Sequence, residues 1–437
     1  MAKMRGGLRA VLAAVLVVSL LSPTSAAAST GWLDPTFSQD GLVYLPTVVD
    51  YGPVGVEALA VRVGPTGRVF VGRELRSDES EEMNVLALGS HGAIASGFNA
   101  GAWTTGLYAD EAGDMIGLHP TADGGVVAAL FDGWTAVLTV HRYGPGGGRS
   151  LTRTFDIDDD QHLAQSSLER LPGGSYRMCH QDGEDDITRL IGLTAALDPD
   201  VRVGPAGRHP LEIDGCWGIA ADAAGHLYVA NVKRVDDSVD SRLAIEILRT
   251  NTSGTTDAAW GDGGVVTVER GGLRLTIGDR FSGAFAGGPR REVAASPMVV
   301  LPDGSMLIVA GVSRMESPGR FSAAVIRLGA GGDLDSAFGS GGVRALAPTG
   351  GQSRILAMAV DAQGRPILSL AYRYADGSTR YWLARLTATG GFDATFGNGG
   401  LIRQSYPTMS IDLDEAGRIL TYARTPSGTT VVARRTP

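Results

Sequence analysis

An alternating apolar segment, a glycine turn and a second alternating segment recur seven times along this chain of 437 residues. The units run from Val56 to Leu75, Asp114 to Phe131, Ala164 to His180, Cys216 to Lys233, Pro297 to Val312, Ile355 to Tyr374 and Met409 to Arg424. Their turn glycines are Gly67, Gly124, Gly173, Gly225, Gly304, Gly364 and Gly417, about 50 to 60 residues apart except for a step of about 80 after Gly225. Period-two patterning on both sides of a glycine is the mark of a β-hairpin. A tandem array of hairpins that cannot each bury a face alone must stack. The long step predicts an insertion, placed most simply at residues 269–295.

The second half of the unit is clearest in Ile247 to Val265, Val325 to Val343 and Leu383 to Leu401. These segments share Asp-x-x-Phe/Trp-Gly-x-Gly-Gly, carried by Asp257 and Trp260, Asp335 and Phe338, and Asp393 and Phe396. An Asp can accept hydrogen bonds from nearby amides in a turn, the aromatic can bury, and the glycines permit positive φ. Degenerate copies occupy residues 85–103 and 138–155. The same motif, with Asp34 and Phe37, stands near the start of the chain in Gly31 to Leu42 with no strand before it. The last unit ends at Val431 to Arg435, a third strand with no fourth after it.

Joining the two ends completes a unit and removes an open sheet edge. The expected fold is all-β: a seven-bladed β-propeller of four-stranded antiparallel blades, the last blade closed by the N-terminal strand, with residues 29–437 forming one domain. An open solenoid would leave the N-terminal half-unit without a purpose.

At the Asp-x-x-Phe-Gly segments the chain resembles the delta-60 repeat family of bacterial secreted and surface proteins. Units of that family carry Leu-Asp-x-x-Phe-Gly-x-x-Gly, an apolar strand, a short turn and another strand. The resemblance is strong over residues 247–403 and weak over 85–215, where the Asp-x-x-Phe pair is lost. It implies tandem β repeats of propeller type and supplies no catalytic residues to carry over.

Residues 1–28 differ from everything after them. Lys3, Arg5 and Arg9 precede an apolar run from Ala10 to Leu21, and Ala26 to Ala28 are small, as at a secretory cleavage site. Cleavage is expected between Ala28 and Ser29. The apolar run is too short for the roughly 20 residues that span a bilayer, so the mature chain is expected in the periplasm or outside the cell, without a transmembrane segment. Its formal charge then moves from −9 to −12, since three basic and no acidic residues leave with the segment. That acidity argues against nucleic acid as a partner. Two cysteines are too few for a disulfide framework or a zinc–cysteine domain.

Short glycine turns fall on one face of the expected ring and long loops on the other, at residues 73–82, 181–186, 233–242 and 269–295. Loops on a rigid scaffold are where binding and chemistry concentrate. This face is acidic: Asp78, Glu79, Glu81 and Glu82; Asp156, Asp158, Asp159 and Asp160; Asp182, Glu184, Asp185 and Asp186; Asp236, Asp237 and Asp240. A solvated surface accounts for such clusters. Calcium, which takes six or more oxygens, is the sharper alternative and the one cofactor entertained. Asp156 to Asp160 do not form an EF-hand, because Gln161 stands where glycine is needed and Ser167 where glutamate is.

No histidine pair has zinc-helix spacing and there is no nucleophile elbow. His162 and His180, beside acidic loops, are the first residues to suspect in any catalytic set. His91 and His226 flank turn glycines and read as hairpin residues, and Tyr143 to Arg149 reads as a hairpin, since it lacks the Lys-Ser/Thr ending of a phosphate loop. Asn251 to Ser253 matches a glycosylation acceptor by chance. Trp103, Trp134 and Trp217 could form a binding patch or pack between blades. Cys179 and Cys216 fall at the same end of neighbouring blades and are expected to bond in an oxidising compartment. The expected function is a monomeric, non-enzymatic binding or surface-interaction scaffold for an exported ligand, glycan or protein, acting through the acidic loop face. The competing expectation is a secreted or periplasmic hydrolase or lyase with its site over the central channel.

Overall fold

The computed structural model describes residues 31–45, 55–76, 81–104, 107–109, 113–132, 137–157, 164–165, 167–181, 187–235, 243–270, 273–277, 296–314, 322–347, 351–425 and 429–437. Apart from two 3-10 turns, Asn99–Gly101 and Pro205–Gly207, the regular structure among them is β. Seven antiparallel sheets follow one another along the chain and form the blades: residues 55–109, 113–156, 164–210, 218–268, 273–345, 352–404, and 408–435 completed by Leu42–Tyr44. The chain is a seven-bladed β-propeller of four-stranded blades, as the repeat predicts.

The burial of the strands follows from their place in the blade. Second strands are covered on both faces by neighbouring blades, so Val126–Asp132 is buried at every position. Its blade's outer strand, Arg149–Asp156, alternates between exposed and half-buried. Apolar side chains collect at the seams. One cluster joins blades 1 and 2 around Phe70, Met115 and Leu130, another joins blades 4 and 5 around Ile247, Trp260 and Ile308, and each remaining seam has its own. First strands touch one another at the seams of blades 7 and 1, 1 and 2, 3 and 4, 4 and 5, and 6 and 7, so they form the inner wall of the ring.

Closure is by the N-terminal strand. Leu42, Val43 and Tyr44 pair antiparallel with Ala433, Val432 and Val431. Farther out, the Gly31 amide donates to the Thr436 carbonyl at 3.0 Å, and the Asp34 amide to the Arg434 carbonyl at 2.9 Å. Phe37, Val43 and Leu45 are buried in the core between blades 7 and 1.

Two inner strands differ from the plain hairpin of the repeat. In blade 3 the strand is split into Ala164–Gln165 and Glu169–Arg170, both paired with Tyr176–Gln181. In blade 5 it is split into Leu273–Ile277 and Met298–Val300, both paired with Met306–Arg314. Residues 273–277 thus lie inside the stretch read as an insertion and belong to the blade; residues 278–295, like the proposed leader at 1–28 and the cleavage point between Ala28 and Ser29, lie outside the described residues. The turn glycine of blade 3 is also corrected: Gly174, at φ 82°, takes the left-handed position expected for Gly173. The amide of Gly174 bonds back to the Leu171 carbonyl, the pattern that Gly124 makes with Thr121 in blade 2.

A candidate site in the central channel

Each inner strand meets its second strand through a short turn, and the register brings one residue per blade to the same level of the channel wall. The pairs are Arg62 with Phe70, His119 with Val127, Glu169 with Arg177, Ala220 with Tyr228, Val299 with Leu307, Ala359 with Ile367 and Asp412 with Leu420. The level is divided. Blades 7, 1, 2 and 3 contribute Asp412, Arg62, His119 and Glu169 as a continuous polar arc, while blades 4, 5 and 6 contribute Ala220, Val299 and Ala359. The adjacent level on one side, Val61, Leu118, Leu168, Ile219, Met298, Met358 and Ile411, is apolar throughout.

Neighbouring blades hold the polar side chains in place. The Arg62 guanidinium donates to its neighbour's carbonyl on Val61 at 2.8 Å and to Ser410 Oγ of blade 7 at 3.2 Å. Ser410 Oγ also accepts the Val61 amide at 3.0 Å, and Asp412 Oδ2 accepts the Val63 amide at 2.7 Å. His119 Nε2 lies 2.7 Å from the Leu168 carbonyl of blade 3, so this nitrogen carries the proton. The Glu169 carboxyl makes no hydrogen bond to another described residue. Its carboxyl is half-buried at the wall.

This setting shifts the proton affinities of Glu169, His119 and Asp412. Burial raises Glu169 to about 7, against the opposing pull of the Arg62 charge. Burial, with the Arg62 charge, lowers His119 to about 4, so its imidazole is neutral at physiological pH. Burial also raises Asp412, with Arg62 and the Val63 amide opposing. Arg62 is therefore the cation that acts on groups from three other blades, and Glu169 is the carboxylate that can take or give a proton near neutrality.

The repeat-motif residues have a different task. In blades 4, 5, 6 and 7 the motif Asp pairs with an Arg of the third strand: Asp257 with Arg249 at 2.8 Å, Asp335 with Arg327 at 3.2 Å, Asp393 with Arg385 at 2.8 Å and Asp34 with Arg434 at 2.8 Å. The motif aromatic lies beside that Arg, with Phe396 4.8 Å from Arg385 and Phe37 4.7 Å from Arg434. It also abuts the next blade. Trp260 Nε1 donates to the Ala330 carbonyl at 2.9 Å, and a Cβ on Gly31 would stand 2.4 Å from the Phe396 ring. Phe338 abuts Gly390 in the same way. These residues fasten blade to blade at the turn face, away from the channel.

Two remnants of the motif stand between residues 85 and 215, one of them inside the degenerate copy at residues 85–103. Asp200 keeps the acid, its amide bonded to the Gly192 carbonyl where blades 4 to 7 have Arg. Arg177, directly across the sheet from Gly192, turns its guanidinium into the vacated space and pairs with Asp200 at 2.8 Å. A Cβ on Gly192 would collide with Val203 at 2.4 Å. Blade 1 keeps the aromatic, the fully buried Phe98, and has Ala87 and Ala95 in place of the Arg and Asp together.

Cys179 and Cys216 form a disulfide that closes 37 residues across the seam of blades 3 and 4. His180 is buried with its ring 5.7 Å from Phe131, and His162 lies outside the described residues. His226 Nδ1 bonds Asp222 at 2.7 Å, occupying the place where Arg365 and Arg418 bond Asp361 and Asp414 in blades 6 and 7. Asn251 Oδ1 accepts the Ser253 and Thr255 amides within its own turn. Trp103 stacks under Arg73 at 3.7 Å, Trp217 packs on the core between blades 4 and 5, and Trp134 lies outside the described residues.

Most of the acidic loop residues, including Asp78, Glu79, Asp158 to Asp160, Asp182 to Asp186 and Asp236 to Asp240, also lie outside the described residues. Among the described residues there is no cluster of three metal-ligating side chains, and no helix is long and apolar enough to cross a membrane.

No family model and no curated protein matches the chain. Solved structures do. An ulvan lyase of polysaccharide lyase family PL25, bound to a GlcA(1-4)Rha3S oligosaccharide, is 11% identical over 90% of this chain and 96% of its own, with TM-score 0.48. The polysaccharide lyase Uly1 is 8% identical over 94% and 98%, with TM-score 0.49. A quinonprotein alcohol dehydrogenase-like protein from Bacteroides thetaiotaomicron is 10% identical over 82% and 68%, with TM-score 0.42. Likeness of this degree assigns neither ligand nor chemistry to the chain.

Proposed function

We propose that this is an exported propeller of the delta-60 repeat kind whose working site is the polar arc of the central channel, and that it is an acid–base enzyme of the hydrolase or lyase class. The observation that carries the reading is Glu169: a channel-wall carboxyl with no hydrogen-bond partner among the described residues, raised to about 7 by burial, on the same level as the Arg62 guanidinium. Glu169 serves as the proton acceptor or donor, and Arg62 offsets negative charge that develops on a bound ligand. The apolar arc of Ala220, Val299 and Ala359 faces the less polar side of the same ligand. A polar, extended ligand such as a glycan chain suits a wall with one charged and one apolar side. Export is supported by the basic and apolar N-terminal segment and by the disulfide, which persists in oxidising compartments. The delta-60 kinship is supported by the recurring Arg, Asp and aromatic sets of blades 4 to 7.

The test is a panel of neutral, uronate-bearing and sulfated polysaccharides incubated with the purified protein. New reducing ends report hydrolysis, and ultraviolet absorbance of new C=C bonds reports elimination. Turnover that falls by at least about 100-fold in Glu169→Gln is expected, the usual scale for a general acid or base. Binding without turnover, equal in wild type and Glu169→Gln, would instead make the protein the non-enzymatic scaffold.

A further inference from the structure

The segment that carries Glu169 is held from outside its own blade. Glu169–Arg170 is only two residues long, and residue 166 before it is followed by Ser167 and Leu168 outside any strand. Leu168 makes its bonds to blade 2: its amide donates to the Ile116 carbonyl at 2.7 Å, and its carbonyl accepts from His119 Nε2 at 2.7 Å. The His119 ring is fixed in turn, tilted against Tyr176 of blade 3 at a centroid distance of 5.6 Å. It also rests over Gly117, where an added Cβ would lie 3.1 Å from His119 Nε2 and 3.1 Å from Leu168 Cβ. One imidazole therefore grips the residue directly before the proposed proton carrier.

We propose that His119 is a positioning residue: by holding the Leu168 carbonyl, it fixes where Glu169 sits in the channel and thereby how tightly Glu169 binds its proton. The inference rests on the channel reading above for its importance to activity, though not for its test. The charged and titratable groups around Glu169 are Arg62 of blade 1, His119 itself, Asp412 of blade 7 by way of Arg62, and Arg170 on its own strand. Arg170 is turned to the Pro120 carbonyl at 3.1 Å, and Arg177, opposite Glu169, is turned to Asp200 at 2.8 Å. The inner strand of blade 4, Gly218–Ala221, brings no titratable side chain. His119 stays neutral above its own low titration, so its contribution through the physiological range is the hydrogen bond.

The readout is the pH dependence of the melting temperature of the full chain, which reports the proton affinity of Glu169 without any ligand. Wild type should lose stability as pH rises from about 4.5, in a transition whose upper end lies near pH 7 and which is missing in Glu169→Gln. His119→Leu removes the donor and should move that transition down by about one pH unit, as the freed carboxyl relaxes toward water. His119→Gln keeps an N–H at the same reach and should restore it. Gly117→Ala crowds the contact without deleting it and should give a smaller shift in the same direction, which keeps the idea testable if His119→Leu does not fold. A transition at the wild-type position in both His119→Leu and Gly117→Ala, with melting lowered equally at every pH, would overturn the proposal. Failure of the catalytic reading would be seen separately, as Glu169→Gln keeping whatever turnover wild type shows.

Discussion

Asp34 and Arg434 are 400 positions apart, and their carboxylate and guanidinium meet at 2.8 Å with both side chains almost fully buried. Removing one partner strands a buried charge, so Asp34→Ala should cost roughly 3 to 5 kcal/mol in denaturant unfolding. The double change Asp34→Ala with Arg434→Ala should cost less than the single one, since Ala87 and Ala95 occupy the same two places in blade 1 without a charge between them. Acid acts on the same pairs. Asp34 and Asp393 are held below the ordinary carboxylate range by hydrogen bonds from Thr36 and Thr395 and by Arg434 and Arg385, against the opposing effect of burial. Asp200 is lowered by Arg202 and Arg177. Their stabilisation is present above the usual carboxylate pKa and is lost as pH falls below it. Glu169 has the opposite sign. Its folded form binds a proton more tightly than the unfolded chain does, so stability declines as pH rises from about 4.5 to about 7. Glu169→Gln should therefore be more stable than wild type at pH 8 by about 2 to 3 kcal/mol, and the two should converge near pH 4. Equal stability at both pH values would show that Glu169 titrates normally.

Within the element, the hairpin unit was readable because each of its parts has a local cause: alternation for the strands and a glycine at positive φ for the turn. The channel level was present in the same pattern, since its residue stands five places before each turn glycine: Arg62 before Gly67, His119 before Gly124, Glu169 before Gly174, Asp412 before Gly417. Taking Gly173 as the turn of blade 3 puts Leu168 at that level and conceals Glu169. The Gly-Gly pair offers no side chain to decide between the two positions; the backbone bond from Gly174 to Leu171 does. The substitution of Arg177 for a third-strand Arg was not readable at all. It depends on two residues lying opposite each other across a sheet. The disulfide belongs to this scale as well. It ties the strand Tyr176–Gln181 to the entry of blade 4, and reduction should destabilise the protein by about 3 to 4 kcal/mol for a loop of this length. A melting temperature unchanged by reductant would mean that the seam core, where Leu190, Ile219 and Val229 pack beside the two cysteines, holds the blades together without it.

At the scale of the molecule, the channel exists because the ring closes. Arg62 of blade 1 is held by Ser410 of blade 7, and Asp412 of blade 7 by the backbone of blade 1, so the polar arc straddles the seam at which the chain's two ends meet. Closure of the last blade, though not the arc, was foreseeable from a fourth-strand motif near the start and a third strand at the end. Which side chains face each other across the seam follows only from the register of a closed ring. The measurement that tests closure most directly is thermal unfolding of a chain lacking residues 31–45. That segment buries Phe37, Val43 and Leu45 and covers the edge of Thr430–Arg435. Loss of three buried apolar side chains, at about 2 kcal/mol each, should lower the melting temperature by roughly 10 °C and leave the exposed edge prone to association. An unchanged melting temperature would contradict a ring closed by its N-terminal strand.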